Sequence, residues 1–202
     1  MPILFGIFVV FCLWFAYESS KHSKQSQKRY QEFLKREYEA SVTLKKDISS
    51  IPKITIPDSL PMEITKNTYL NAIYNDINKL KEKDIINLTG YTNTDIKLKY
   101  GAPNLCYLSD CDNNFTKLAV TLNKWANYLY KENNLKDCKT ILEYAVSVNI
   151  DITNIYILLA NIYISEKTPN KINSLIKKAS KLKTTTSSSI VDKLTVIKST
   201  NL

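Results

Sequence analysis

The residues of this chain that could do acid–base or metal chemistry are few and far apart. There is one histidine, His22, and four cysteines, Cys12, Cys106, Cys111 and Cys138. Nucleophilic catalysis needs a base beside the nucleophile and a third group to orient that base. A structural zinc site needs four Cys or His ligands, and here only Cys106 and Cys111 stand close together in sequence. That pair reads as free thiols in a reducing compartment, or as a disulfide if the domain faces outward. The acid pairs Glu37/Glu39 and Asp110/Asp112 fall where solvated charge is the ordinary explanation. With only Gly6, Gly90 and Gly101, no phosphate-cradling loop or dinucleotide fingerprint can be built. We therefore expect no catalytic residue, no metal and no cofactor, and not an enzyme.

The elements around these residues should be helical. All-β folds draw on many glycine-containing turns, which this composition lacks, while Leu, Ile, Lys, Asn and Glu dominate. The expected fold class is all-α. The net charge is +9, but of 28 basic residues only Arg29 and Arg36 are arginine. Bidentate base and phosphate recognition favours arginine, so we expect no nucleic-acid partner.

Residues Ile3–Tyr17 (ILFGIFVVFCLWFAY) carry no charge. They predict a short transmembrane helix over 1–17, with Trp14 and Tyr17 at the interface and Lys21 and Lys24 snorkelling outward. A cleaved signal peptide is disfavoured, because no Lys or Arg precedes the run and no small-x-small site follows it. Lys21, Lys24, Lys28 and Arg29 follow, so the positive-inside rule places the N-terminus outside and the remainder in the cytoplasm. The same four cations are candidate contacts for anionic lipid heads.

A basic helical stalk is expected over 18–48. Its stripe Tyr30, Phe33, Leu34, Tyr38, Val42 suits either a solvated stalk or pairing with another copy as a homo-oligomer. Pro52, Pro57 and Pro61 mark 49–62 as an extended linker, so the helical domain is placed at 63–202. Within it, Leu70, Ile73, Tyr74, Ile77 and Leu80 predict a helix over 65–83, and a short helix is expected near Asp95–Tyr100.

The strongest pattern is internal. A shift of 34 residues lays Leu122, Trp125, Ala126, Leu129, Cys138, Leu142 and Ala145 on Tyr156, Leu159, Ala160, Tyr163, Ile172, Ile176 and Ala179. The first four make one helical face, a small residue lets the partner helix approach, and the last three make the facing stripe. Asn133-Asn134 and Thr168-Pro169-Asn170 supply the turns, with Pro169 suited to a helix start. The helix at 65–83 and the segment Ser189–Ser199, opened by a Ser189/Asp192 capping box, are candidate caps.

These two units, over 119–184, resemble the tetratricopeptide repeat. They depart from it at Ile150 and Thr184, where that family often has proline. The longer run NNFTKLAVTLNKWANYLYKENNLKDCKTILEYAVSVNIDI is similar to a class of single-pass membrane proteins of low-GC Gram-positive bacteria, a likeness that implies no activity. The tetratricopeptide likeness implies a groove for a peptide or helix, lined by the first helix of each pair. Here the candidate lining is Val120, Asn123, Asn127, Tyr130, Asn154, Ile157, Asn161 and Ile164. Asparagine at Asn127 and Asn161 would bond a ligand's backbone or terminal carboxylate. The lysine that accompanies it in a carboxylate clamp is replaced by Asn123. Equally, these asparagines fit a solvated face in an asparagine-rich chain. The resemblance implies a membrane-anchored adaptor for a protein partner; the stalk and the apolar helix imply, alternatively, a self-associating structural subunit.

Overall fold

The computed structural model describes residues 2–62, 66–168 and 170–201, the side chains of Pro2, Leu4 and Asn201 excepted. Every regular element among them is helical, as the composition requires. The eight α-helices are α1 (Pro2–Ser41), α2 (Thr68–Lys81), α3 (Asn93–Tyr100), α4 (Leu105–Lys131), α5 (Leu135–Ser147), α6 (Thr153–Ser165), α7 (Asn170–Ala179) and α8 (Thr186–Asn201). The chain divides into two compact units. One holds the residues up to Lys46 with Thr92–Leu105; the other holds Asp47–Tyr91 with Cys106 onward.

The first unit is α1 with a small clasp. Helix α1 runs unbroken for 40 residues. Its apolar run covers only Ile3–Tyr17, which at ~1.5 Å per residue gives ~22 Å against the ~30 Å of a bilayer core. The helix then continues straight into Glu18, Lys21 and Lys24. No helix among the described residues is long and apolar enough to cross a membrane. The single-pass anchor at Ile3–Tyr17 is thus corrected, and with it the cell-membrane placement and the topology of outside N-terminus and cytoplasmic domain. Lys21, Lys24, Lys28 and Arg29 are exposed along the same helix.

The helix stops at Ser41, short of the expected stalk end, because the chain turns to meet α3. A capping box starts α3: Thr92 Oγ1 accepts from the Asp95 amide, and Asp95 accepts from Thr92 N. The Thr92 hydroxyl, which donates to Asp95 Oδ2 at 2.6 Å, and the Thr92 amide hold the Asp95 carboxyl below its usual range, with Arg36 as a further cause at 2.6 Å. Glu37 receives the Thr94 hydroxyl and lies 3.6 Å from Lys97 Nζ. The turn closes through Lys46 N–Tyr100 O at 3.2 Å and Ala102 N–Thr43 O at 3.0 Å. Gly101 sits between them with φ 96°, and a Cβ there would lie 2.3 Å from the Leu44 carbonyl oxygen.

The second unit contains the repeat. Of the fourteen paired positions every one is buried except Ile176, which is half-buried. The backbone repeats too. Asn133 and Lys167 both take positive φ, 58° and 55°. Both turns close alike, with Asn134 N on Leu129 O and Thr168 N on Tyr163 O, each at 2.9 Å. This is a Schellman ending, which satisfies the last carbonyls of each first helix. Pro169 lies outside the described residues. Ile150, where a proline was absent, is fully buried and bonds back to Ala145 O at 3.1 Å after Asn149 at φ 60°. An apolar residue closing the helix from within the core does there what a proline break would do from outside.

Helix α2 lies against α4, with Tyr74 edge-on to Trp125 at 5.3 Å and Tyr69 5.5 Å from the Tyr128 ring. Helix α8 packs on α6 and α7. It begins at Thr186 rather than Ser189, so the Ser189/Asp192 pair falls inside the helix instead of capping it. Its buried Ile190 and Leu194 stand a further 34 residues beyond Tyr156 and Ala160. Helix α8 therefore continues the 34-residue step at these two buried positions.

The proline-bearing segment 49–62 belongs to this unit. Ile56 and Leu60 are buried in its core, Ile54 N bonds Ile85 O at 2.8 Å, and Tyr144 Oη donates to Thr55 O at 3.2 Å. Two ion pairs fasten it, Lys53–Asp84 and Lys81–Asp58, each at 2.7 Å. Ile56 and Leu60 thus give the proline-bearing run two buried anchors, and the second unit takes in the chain from Asp47.

Two buried groups lack hydrogen-bond partners among the described residues, Trp125 Nε1 and Tyr156 Oη. Burial pushes the Tyr156 hydroxyl up to about 12. Removing an unsatisfied hydroxyl removes a desolvation cost. Tyr156→Phe is expected to leave stability unchanged or raise it by up to ~1 kcal/mol. Tyr163→Phe, which loses a 2.9 Å bond to Glu143, should lower it by ~0.5–1.5 kcal/mol. Urea midpoints of both variants check this.

Candidate functional site

The first helices of the repeated pairs bring most of the candidate residues onto one face. Asn123, Asn127 and Tyr130 from α4 and Asn154, Ile157, Asn161 and Ile164 from α6 are all half-buried, and Val120 is 43% exposed. Their exposure follows from the repeat. At three- and four-residue steps they occupy the helical positions left over once Leu122, Trp125, Ala126 and Leu129, and their counterparts on α6, turn inward.

Three of the asparagines form a closed network across the two helices. Asn127 Nδ2 donates to Asn123 O at 2.7 Å and to Asn123 Oδ1 at 3.2 Å. Asn154 Nδ2 donates to Asn123 Oδ1 at 2.9 Å and to Asn127 Oδ1 at 3.1 Å. These bonds tie α4 to α6 and consume both polar ends of Asn127. Among the asparagines of this face, the side-chain groups left without partners among the described residues are Asn123 Nδ2, Asn154 Oδ1 and the whole amide of Asn161. The two positions related by the 34-residue step thus differ: Asn127 is tied into the network, and the Asn161 amide is left open.

Sequence reasoning missed that the stripe continues. The 34-residue step carries Asn154, Ile157, Asn161 and Ile164 onto Ser188, Val191, Thr195 and Lys198 of α8. Ser188 and Thr195 are exposed, and Val191 and Lys198 half-buried. The signal that could have found them is Ile190, Leu194 and Ile197 at the core positions. Lys193, standing where Trp125 and Leu159 stand, hid it.

Chemically this face offers neutral amide and hydroxyl groups between half-buried aliphatic side chains, with one lysine at the α8 end. Such a surface can bond peptide groups and seat small apolar side chains. It holds no paired lysine for a carboxylate clamp, since Asn123 in that place serves as an acceptor.

The thiols lie elsewhere. All four cysteines are free, Cys12 and Cys106 exposed, Cys111 and Cys138 buried, so the structure takes the thiol alternative for Cys106 and Cys111. Cys138 Sγ donates to Ala126 O at 3.3 Å, and burial pushes it up to about 12. It is a packing residue that lets α5 approach α4. His22 sits 3.4 Å from Glu18 on its own helix. Asp112 caps a loop by accepting from Leu88 N at 2.9 Å.

No protein-family model, curated protein or solved structure matches this chain.

Proposed function

We propose that the second unit is a helix-repeat recognition module of tetratricopeptide-like construction, which holds an extended segment of a protein partner along α4, α6 and α8. The observation that carries this reading is the 34-residue step, repeated both in buried side chains and in the turn backbone. A stack of that kind generates a continuous face one residue stripe wide, and here the stripe is uncharged on α4 and α6 and, Val120 excepted, half-buried. Asn161 and Asn154 bond the partner's backbone, and Ile157 and Ile164 seat its apolar side chains. Asn161→Ala with Ile157→Ser should reduce capture of the partner at least ~10-fold, as loss of about 1.4 kcal/mol implies. Thermal unfolding should stay unchanged. Undiminished capture by that variant would remove the groove from the account.

A second reading rests on α1. Tyr30 is 62% and Tyr38 69% exposed, and Phe33 and Leu34 lie on the same stripe, itself exposed. An exposed stripe of this length suits pairing with another copy, which would make the chain an assembly subunit. Phe33→Ser with Leu34→Ser would then shift sedimentation equilibrium of the full chain towards monomer. If the chain is monomeric before the change, this second reading is wrong.

A further inference from the structure

The second helices enclose a different feature, a cleft of about 320 Å³ between α5, α6 and α7. Its floor is apolar: Val146, Leu159 and Leu175 are each buried. One side is closed by Tyr163, whose hydroxyl donates to Glu143 Oε1 at 2.9 Å. The α7 wall carries two cations. Lys171 Nζ stands 5.2 Å from the Tyr163 ring centroid, and Lys178 follows two turns later, ~10 Å along the helix. Neither has a carboxylate partner among the described residues, whereas Lys139 nearby is paired with Glu166 at 2.6 Å. The wider field has the same sign: residues 167–198 hold eight lysines and the single acid Asp192.

We propose that this cleft docks an acidic segment of a partner protein, with an aliphatic side chain on its floor and carboxylates against Lys171 and Lys178. A cation without a carboxylate partner beside an apolar floor gains most from a ligand that supplies both missing components. Size agrees, because about 320 Å³ is at the small end of ligand sites and accepts a residue or two of a peptide. Glu143 on the α5 wall repels a second acid there, so the ligand's charge must lie on one side. A polyphosphate or nucleic acid would satisfy the lysines and leave the floor empty. This face is separate from the asparagine-lined one and does not depend on it.

The test uses the full-length chain and a fluorescent helical peptide of about twelve residues built from glutamate and leucine, followed by anisotropy at low ionic strength. Replacing its leucines by serine, or its glutamates by glutamine, should each weaken binding about tenfold or more. On the protein, Lys171→Glu with Lys178→Glu should do the same, while Lys177→Glu with Lys181→Glu, the same charge change outside the cleft, should cost less than about threefold. The cleft shares no residue with the asparagine-lined face, so that failure here and failure of the groove reading are told apart. Equal losses from the two lysine pairs, equal binding of the serine peptide, or no binding of the parent peptide would each overturn the proposal.

Discussion

Trp125→Ala is expected to destabilise the second unit by about 3–5 kcal/mol, the usual cost of emptying a large aromatic site in a core. Trp125 has no exposed surface and meets Tyr74 of α2 edge-on, so one side chain joins the leading helix to the repeat. A stack with two full pairs has few redundant contacts, and domains of this size carry only about 5–15 kcal/mol in total. The loss should appear as a lower urea midpoint and as faster amide exchange throughout α4 and α5. Leu159→Ala, at the equivalent place one repeat later, should cost ~2–5 kcal/mol by the same cavity argument. A loss below about 1 kcal/mol at Trp125 would mean that this site collapses freely, contrary to the packing described.

Gly101→Ala should open the clasp of the first unit. The residue combines φ 96° with backbone approach so close that a Cβ would stand 2.3 Å from Leu44 O and 2.9 Å from Lys45 Cα. A side chain at positive φ alone costs about 1–3 kcal/mol, and here backbone must also move to admit it. The expected readout is loss of amide protection at Lys46 and Ala102, whose donors close the turn onto Tyr100 and Thr43. Protection within α6 and α7 should be unchanged. Retained protection at Lys46 and Ala102 would show that the turn tolerates a Cβ.

The core of the second unit was legible because its signal is repeated. A single helix face gives a weak pattern, but two faces in step at 34 residues identified buried positions that the structure confirms at Leu122, Ala126, Tyr156 and Ala160 alike. The short helix near Asp95–Tyr100 was legible, though not the Thr92/Asp95 capping box that starts it. Contacts distant in sequence were not. Nothing local announces that Arg36 and Glu37 meet residues 94–97, or that Ile56 and Leu60 turn a proline-bearing run into core. The apolar run Ile3–Tyr17 misled for a different reason. Absence of charge identifies a segment that avoids water, whereas spanning a bilayer also needs length, which Glu18 and Lys21 cut short. On the candidate face, residue identity located the asparagines but not their use. The bonds of Asn127 to Asn123 and Asn154 depend on the spacing of two helices, which no periodicity reveals.

The central claim is that α4, α6 and α8 present one continuous recognition face. Photoreactive amino acids placed singly at positions 161, 157 and 195, and for comparison at exposed position 177 on α7, test it most directly in cells. Crosslinking of one and the same partner from all three face positions, lost when Asn154 is changed to alanine and absent from position 177, is the predicted result. Adducts to that partner from position 177 with none from 161 or 157 would contradict it.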